Sequence, residues 1–85
     1  MLTFDYTIQD ELGIHARPAG VLAKTAKQFE STIKIAKNGR AADVRRMMSV
    51  MGLGVKRGET VTVTVEGADE EAAFAAVKAF FEENL

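Results

Sequence analysis

The sequence predicts an α+β domain in the order βαββαβα, a four-stranded sheet whose three helices lie on a single face. Three observations predict it. Two segments, one at each end of the chain, alternate apolar and polar residues with period two, two others repeat apolar residues at helical spacing, and an Asn-Gly dipeptide joins two short runs as a hairpin. Helices segregated to one side of a sheet are a standard way to close a core when one helix is too short to cover much.

In chain order, Leu2, Phe4, Tyr6 and Ile8 alternate with Thr3, Asp5 and Thr7, the signature of a first strand with one buried face. Gly13 and Pro18 bracket a turn, after which Ala19, Leu22, Ala23, Ala26 and Phe29 fall on one side of a first helix and Lys24, Lys27 and Gln28 on the other. Residues 32–37 and 40–44 flank Asn38-Gly39, whose residues tolerate the positive φ angles of a type I′ turn, so they read as a hairpin with Ile33 and Ile35 facing the core. Residues 46–51, closed by Gly52 and Gly54, read as a helix of one to two turns. Residues 60–66, with Val61, Val63 and Val65 inward and three threonines outward, make the clearest strand. Asp69 is the expected N-cap of a last helix, with Glu70 and Glu71 in its first turn and Ala73, Phe74, Val77, Phe80 and Phe81 as its apolar stripe.

Eighty-five residues leave room for one domain, residues 1–85, with one modest core. Hydrophobic residues make up 47% of the chain and aromatic ones 7%, so aliphatic side chains and five Phe must supply that core. With no cysteine there is neither a disulfide framework nor a thiolate metal site, and a reducing compartment is tolerated. No leader or membrane-length apolar run is apparent, so a cytoplasmic protein with no membrane insertion is expected. The formal net charge of −1 gives no argument for nucleic acid. The charges are nevertheless uneven, since nearly all basic residues lie between Arg17 and Arg57 while the C-terminal segment is acidic.

The only histidine lies in Gly13-Ile14-His15-Ala16-Arg17-Pro18-Ala19, where the first loop meets the first helix. The first N–H groups of a helix lack intrahelical acceptors and, with the helix dipole, favour an anion. Pro18 suits the first turn because its missing N–H would have been unpaired anyway. A neutral imidazole is a nucleophile, and the reference histidine pKa of about 6.5 leaves much of such a population unprotonated at physiological pH. A phosphoryl group on the ring would place its oxygens near Ala16 and Arg17, whose guanidinium can make paired hydrogen bonds to phosphate. Parts for a zinc centre or a hydrolytic triad are missing, and no metal or cofactor is expected. From spacing alone, an ordinary helix start with a solvated arginine is the more common reading of these residues.

The motif from Gly13 to Ala19 resembles the active-site motif of HPr, the histidine-containing phosphocarrier of the bacterial phosphoenolpyruvate-dependent sugar phosphotransferase system. The resemblance extends over the whole chain, through the Asn38-Gly39 hairpin, the Met47 to Val55 segment and Glu66-Gly67-Ala68-Asp69-Glu70. It implies an open-faced β-sandwich of four antiparallel strands with three helices on one side. It also implies that His15 is phosphorylated on Nδ1 by phospho-Enzyme I and passes the group to EIIA proteins or domains, with Arg17 stabilising it. Ala16, Gly20, Lys24, Lys27, Arg46, Met47, Met48 and Met51 would form the docking face of a monomeric carrier that is a substrate of enzymes and not itself one. Exposed Met suits a surface that accepts several partners, and at helical spacing the three cannot all point inward.

Two positions depart from the family pattern. Arg46 stands where many Gram-positive relatives carry a regulatory serine, so phosphorylation by an HPr kinase is expected to be absent there, and nearby Ser49 is only a weak candidate for modification. Leu12 replaces the small polar residue that often supports the active-site loop. The competing functions are a regulatory docking module in which histidine phosphorylation is irrelevant, a carrier in a nitrogen-related or dihydroxyacetone-kinase branch, and an independent enzyme using His15 as a base.

Overall fold

A computed structural model describes residues 1–85. The elements are β1 (Leu2–Thr7), α1 (Ala16–Ala26), β2 (Thr32–Lys37), β3 (Arg40–Asp43), α2 (Met47–Met51), β4 (Thr60–Glu66) and α3 (Glu70–Asn84), in the expected order. The sheet runs β1-β4-β2-β3 with every pair antiparallel. The last strand is therefore central, between the first strand and the hairpin, and register is set by pairs such as Phe4 with Val63 and Ile35 with Val63. Asn38 and Gly39 take φ of 52° and 80°, the two positive angles a type I′ turn demands.

The period-two pattern holds through β4, where Val61, Val63 and Val65 are buried under the helices. Ile33 and Ile35 of β2, Leu22 of α1, Val50 of α2 and Val77 and Phe81 of α3 complete the core. Aliphatic side chains carry more of it than the composition suggests. Of the five Phe only Phe81 is fully buried, while Phe4, Phe29, Phe74 and Phe80 pack at its margin. Phe81 meets Phe4 and Tyr6 edge to face at 5.7 and 5.5 Å, which fastens α3 across β1.

Two local expectations are corrected. Helix α1 ends at Ala26, short of Phe29, because the N–H groups of Gln28 and Phe29 bond three residues back in tight turns instead of continuing the helical ladder. Asp69 occupies the N-cap position of α3, but its side chain makes no capping bond. Its carboxylate accepts instead from the backbone N–H of Glu30 and Ser31 and from the Ser31 hydroxyl. The Gly67 N–H at that end of the helix is taken by Glu70 Oε1 at 3.2 Å.

Candidate functional site

Between β1 and α1 the chain makes a compact turn. The Asp10 carbonyl accepts the Gly13 N–H at 2.9 Å, and Asp10 Oδ1 accepts the Leu12 N–H at 2.8 Å, an Asx turn within a β-turn. The start of the loop is tied to the end of the fold by the Leu85 backbone oxygen, which accepts the N–H groups of Gln9 (2.5 Å) and Asp10 (3.0 Å). Its far end rests on the segment after α2, where the Val55 carbonyl accepts the Ile14 N–H at 3.1 Å. Gly13 is buried there with φ +67°, and a Cβ would run into the Val55 carbonyl and lie 2.8 Å from Lys56 Cα. Only glycine fits both constraints.

His15 follows as the N-cap of α1, in extended backbone with φ −95° and ψ −175°. Its carbonyl accepts the Ala19 N–H at 3.0 Å, while its ring makes no capping bond. The N–H groups of Ala16 and Arg17 have no acceptor in the protein, and Pro18 has none to offer. Two donors and the positive end of a helix thus lie beside a side chain that is 33% exposed. Arg17 is exposed and makes no ion pair or hydrogen bond. The ring Nε2 lies 3.9 Å from Asp10 Oδ2.

This arrangement is a surface site, not a pocket. The one concavity, about 470 Å³, lies on the uncovered face of the sheet around Thr32, Lys34, Ala36, Ala41 and Thr64, and includes nothing from the His15 loop. A site this open is accessible to a large partner, whereas a small-molecule enzyme ordinarily encloses its substrate. No group of three or more His, Cys, Asp or Glu is placed to hold a metal ion.

Helices α1 and α2 pack side by side, and Gly20 is their point of close approach. A Cβ on Gly20 would sit 3.4 Å from Met47 Sδ, which gives this mid-helix glycine a neighbour within the fold. Met47 and Met51 turn partly inward against the core, while Met48 is 72% exposed. Ala16, Lys24, Lys27 and Arg46 are exposed, and so is Val21, an apolar residue the sequence did not single out. Ser49 is exposed on α2. Leu12, whose apolar character left the loop's support in question, projects outward at 71% exposure and contributes through its backbone N–H.

Three supporting side chains escaped sequence reasoning. Asp10 had a readable signal, an acidic residue three before a glycine at the end of an alternating strand, which is turn chemistry. Lys37 and Arg45 had none. Lys37 Nζ reaches the carbonyl of Gly54 at 3.0 Å and Glu59 Oε1 at 2.9 Å, holding the segment on which Gly13 and Ile14 rest. Arg45 donates to the Phe29 carbonyl at 2.5 Å, pinning the chain as it leaves α1. Two carboxylates are held by donors in the same way: the Lys37 ammonium and then the Lys56 N–H keep the Glu59 carboxyl below its usual value, and the Ser31 hydroxyl and then the Glu30 N–H do so for Asp69.

The chain matches, over residues 2–83, the family described as "PTS HPr component phosphorylation site". It is 41% identical over 85 residues to the phosphocarrier protein HPr of Mycoplasma genitalium, covering 99% of this chain and 97% of that one. It is 44% identical over 77 residues to the phosphocarrier protein HPr of Lysinibacillus sphaericus, covering 91% and 88%. Among solved structures, a histidine-containing phosphocarrier protein of Mycoplasma superposes with a TM-score of 0.93 at 36% identity, covering 96% of this chain and 93% of that one. A dimeric HPr of Thermoanaerobacter tengcongensis is similar with a TM-score of 0.77 at 35% identity, covering 98% and 95%.

Proposed function

This chain belongs to the HPr phosphocarrier family, and from that premise we propose that it relays a phosphoryl group on His15 within the phosphoenolpyruvate-dependent phosphotransferase system. The donor is phospho-Enzyme I and the acceptors are EIIA proteins or domains. Residues 1–85 act as one HPr domain, monomeric and cytoplasmic. The observation that supports this reading best is the pair of unused N–H groups on Ala16 and Arg17 beside an exposed ring at the start of α1.

In the forward step the Nδ1 lone pair attacks the donor phosphorus, the bond between phosphorus and the donor atom breaks, and the donor leaves with the bonding electron pair. A new Nδ1–P bond forms, and the phosphoryl oxygens take hydrogen bonds from Ala16 and Arg17 N–H and from the Arg17 guanidinium. The second step reverses this chemistry toward the acceptor. Because the same group must be gained and lost, the cradle has to hold phosphate without trapping it, which suits a partly exposed site better than a buried one.

Exposed Met48 on α2 and Val21 on α1, together with the exposed cations Arg17, Lys24 and Lys27 of α1 and its end and Arg46 at the start of α2, supply the apolar and positive groups that an acidic partner surface would meet. Arg46 keeps a permanent positive charge at the start of α2, so we expect docking there to escape serine phosphorylation.

Incubation with Enzyme I and labelled phosphoenolpyruvate should give one acid-labile, base-stable phosphate per chain. His15→Ala should give none. Absence of label from the wild-type protein, or equal label on the variant, would overturn the reading.

A further inference from the structure

Asp10 is the one acidic side chain within ion-pair range of His15. Its position is set on every side: its N–H bonds the Leu85 oxygen, its carbonyl accepts the Gly13 N–H, and its Oδ1 accepts the Leu12 N–H. Oδ2 has no donor of its own in the protein and lies 3.9 Å from His15 Nε2, within reach of one bridging water or a modest turn of the ring. The remaining charged groups nearby do not compete for this task. Arg17 and Lys56 are cations and cannot accept a proton from the ring, and Glu11 is exposed and forms no ion pair with it.

We propose that Asp10 is the positioning residue of the phosphoryl-accepting ring, holding the imidazole proton on Nε2 so that Nδ1 presents its lone pair. The partner of one ring nitrogen decides which nitrogen carries the proton. This inference rests on the phosphocarrier reading and gives it a direction. When Nδ1 attacks phosphorus, the ring gains positive charge while Nε2 keeps its hydrogen, and the fixed carboxylate compensates that charge. When the N–P bond later breaks toward the acceptor, the electron pair returns to Nδ1 and a neutral imidazole leaves, with the proton still on Nε2. Without a proton there, the leaving group would be an imidazolate anion, a far poorer one. One carboxylate therefore serves both halves of the relay, although it touches neither the phosphoryl group nor the partners.

The test is Asp10→Asn, because the two roles of Asp10 separate in it. Asn Oδ1 still accepts the Leu12 N–H and preserves the turn, which places the amide NH₂ where Oδ2 was. An NH₂ donates to a bare Nε2, so the variant should invert the tautomer and move the proton to Nδ1. Nitrogen-15 NMR of the histidine ring, in protein whose amide spectrum shows the native fold, reads this directly. Phosphoryl transfer from phospho-Enzyme I should fall by about twofold to fivefold, the scale of a partly exposed charge pair. Asp10→Ser, whose hydroxyl can still accept the Leu12 N–H but is too short to reach the ring, should show a smaller loss and a mixed tautomer. Wild-type protein that takes label while Asp10→Asn shows the same tautomer and rate would overturn the role of Asp10 and leave the carrier reading intact. Wild-type protein that takes no label would overturn both.

Discussion

Asp69 turns its carboxylate away from the helix it begins and onto Ser31, with Oδ1 2.9 Å from the Ser31 N and 2.5 Å from its hydroxyl oxygen. Ser31 is fully buried, and these bonds join the start of α3 to the segment between α1 and β2. Removing the hydroxyl leaves the site one donor short. Ser31→Ala should therefore lower unfolding stability by about 1.5–3 kcal/mol, the range for hydrogen bonds to a charged group, read from urea midpoints at neutral pH.

The same contact sets an acid limit. The Ser31 hydroxyl, followed by the Glu30 N–H, keeps the Asp69 carboxyl below its ordinary 3.8, and Lys37 does likewise for Glu59 from 4.5. Groups depressed in the folded state contribute stability that is fully present above their unfolded values and is lost as pH falls through the folded ones. Stability should hold from neutral pH to about pH 5 and then decline through pH 4 and below. Asp69→Asn should flatten part of that decline; an acid limb unchanged in the variant would remove Asp69 as a cause.

Gly13→Ala should damage the site more than its size suggests. It combines φ +67° with a Cβ directed into the Val55 carbonyl, so the loop must leave the Ile14–Val55 contact. A cost of about 2 kcal/mol or more is expected in thermal or urea unfolding, with slower labelling of His15.

Gly20→Ala should act in the opposite direction. The added methyl meets only the flexible end of Met47 at 3.4 Å, and alanine gains helix propensity of up to about 1 kcal/mol over glycine. A rise in thermal midpoint is expected. A fall would mean that Met47 cannot give way.

Arg17→Ala should leave stability within about 0.5 kcal/mol, since the side chain is exposed and unpaired. Labelling of His15 should nevertheless slow by roughly tenfold or more, the consequence of removing a donor to a developing phosphoryl charge. Equal rates would assign the cradle to the backbone alone.

Met48→Asp offers a separate measure of docking. At 72% exposure Met48 contributes little to the core, so unfolding should change little while binding to Enzyme I weakens by about tenfold, as expected when a charge enters an apolar contact. Unchanged binding would move the docking surface off α2.

Much of this molecule is readable in order along the chain. Val61, Val63 and Val65 declare their strand by alternation, Asn38-Gly39 declares its turn by the φ angles it tolerates, and Gly13 to Pro18 places a histidine where a helix must begin. The long-range partners are not readable in this way. Asp69 looked like a cap because capping is the local use of an acidic residue there, yet its acceptors serve residues 38 and 39 positions away. The same limit hid Lys37, whose ammonium closes carbonyls 16 and 17 residues on, and the Met47 sulfur that lies against Gly20.

The sequence by itself determined the elements, their order, and the placing of His15 at a helix start, because periodicity, turn angles and the unpaired N–H groups of a first turn are properties of neighbouring residues. Only the tertiary structure decided which methionine faces outward, what Asp69 binds, and that the Val55 carbonyl supports the loop bearing His15. Those choices depend on which segments the sheet order β1-β4-β2-β3 and the helix packing bring side by side, and a buried polar group takes whichever partner that packing delivers.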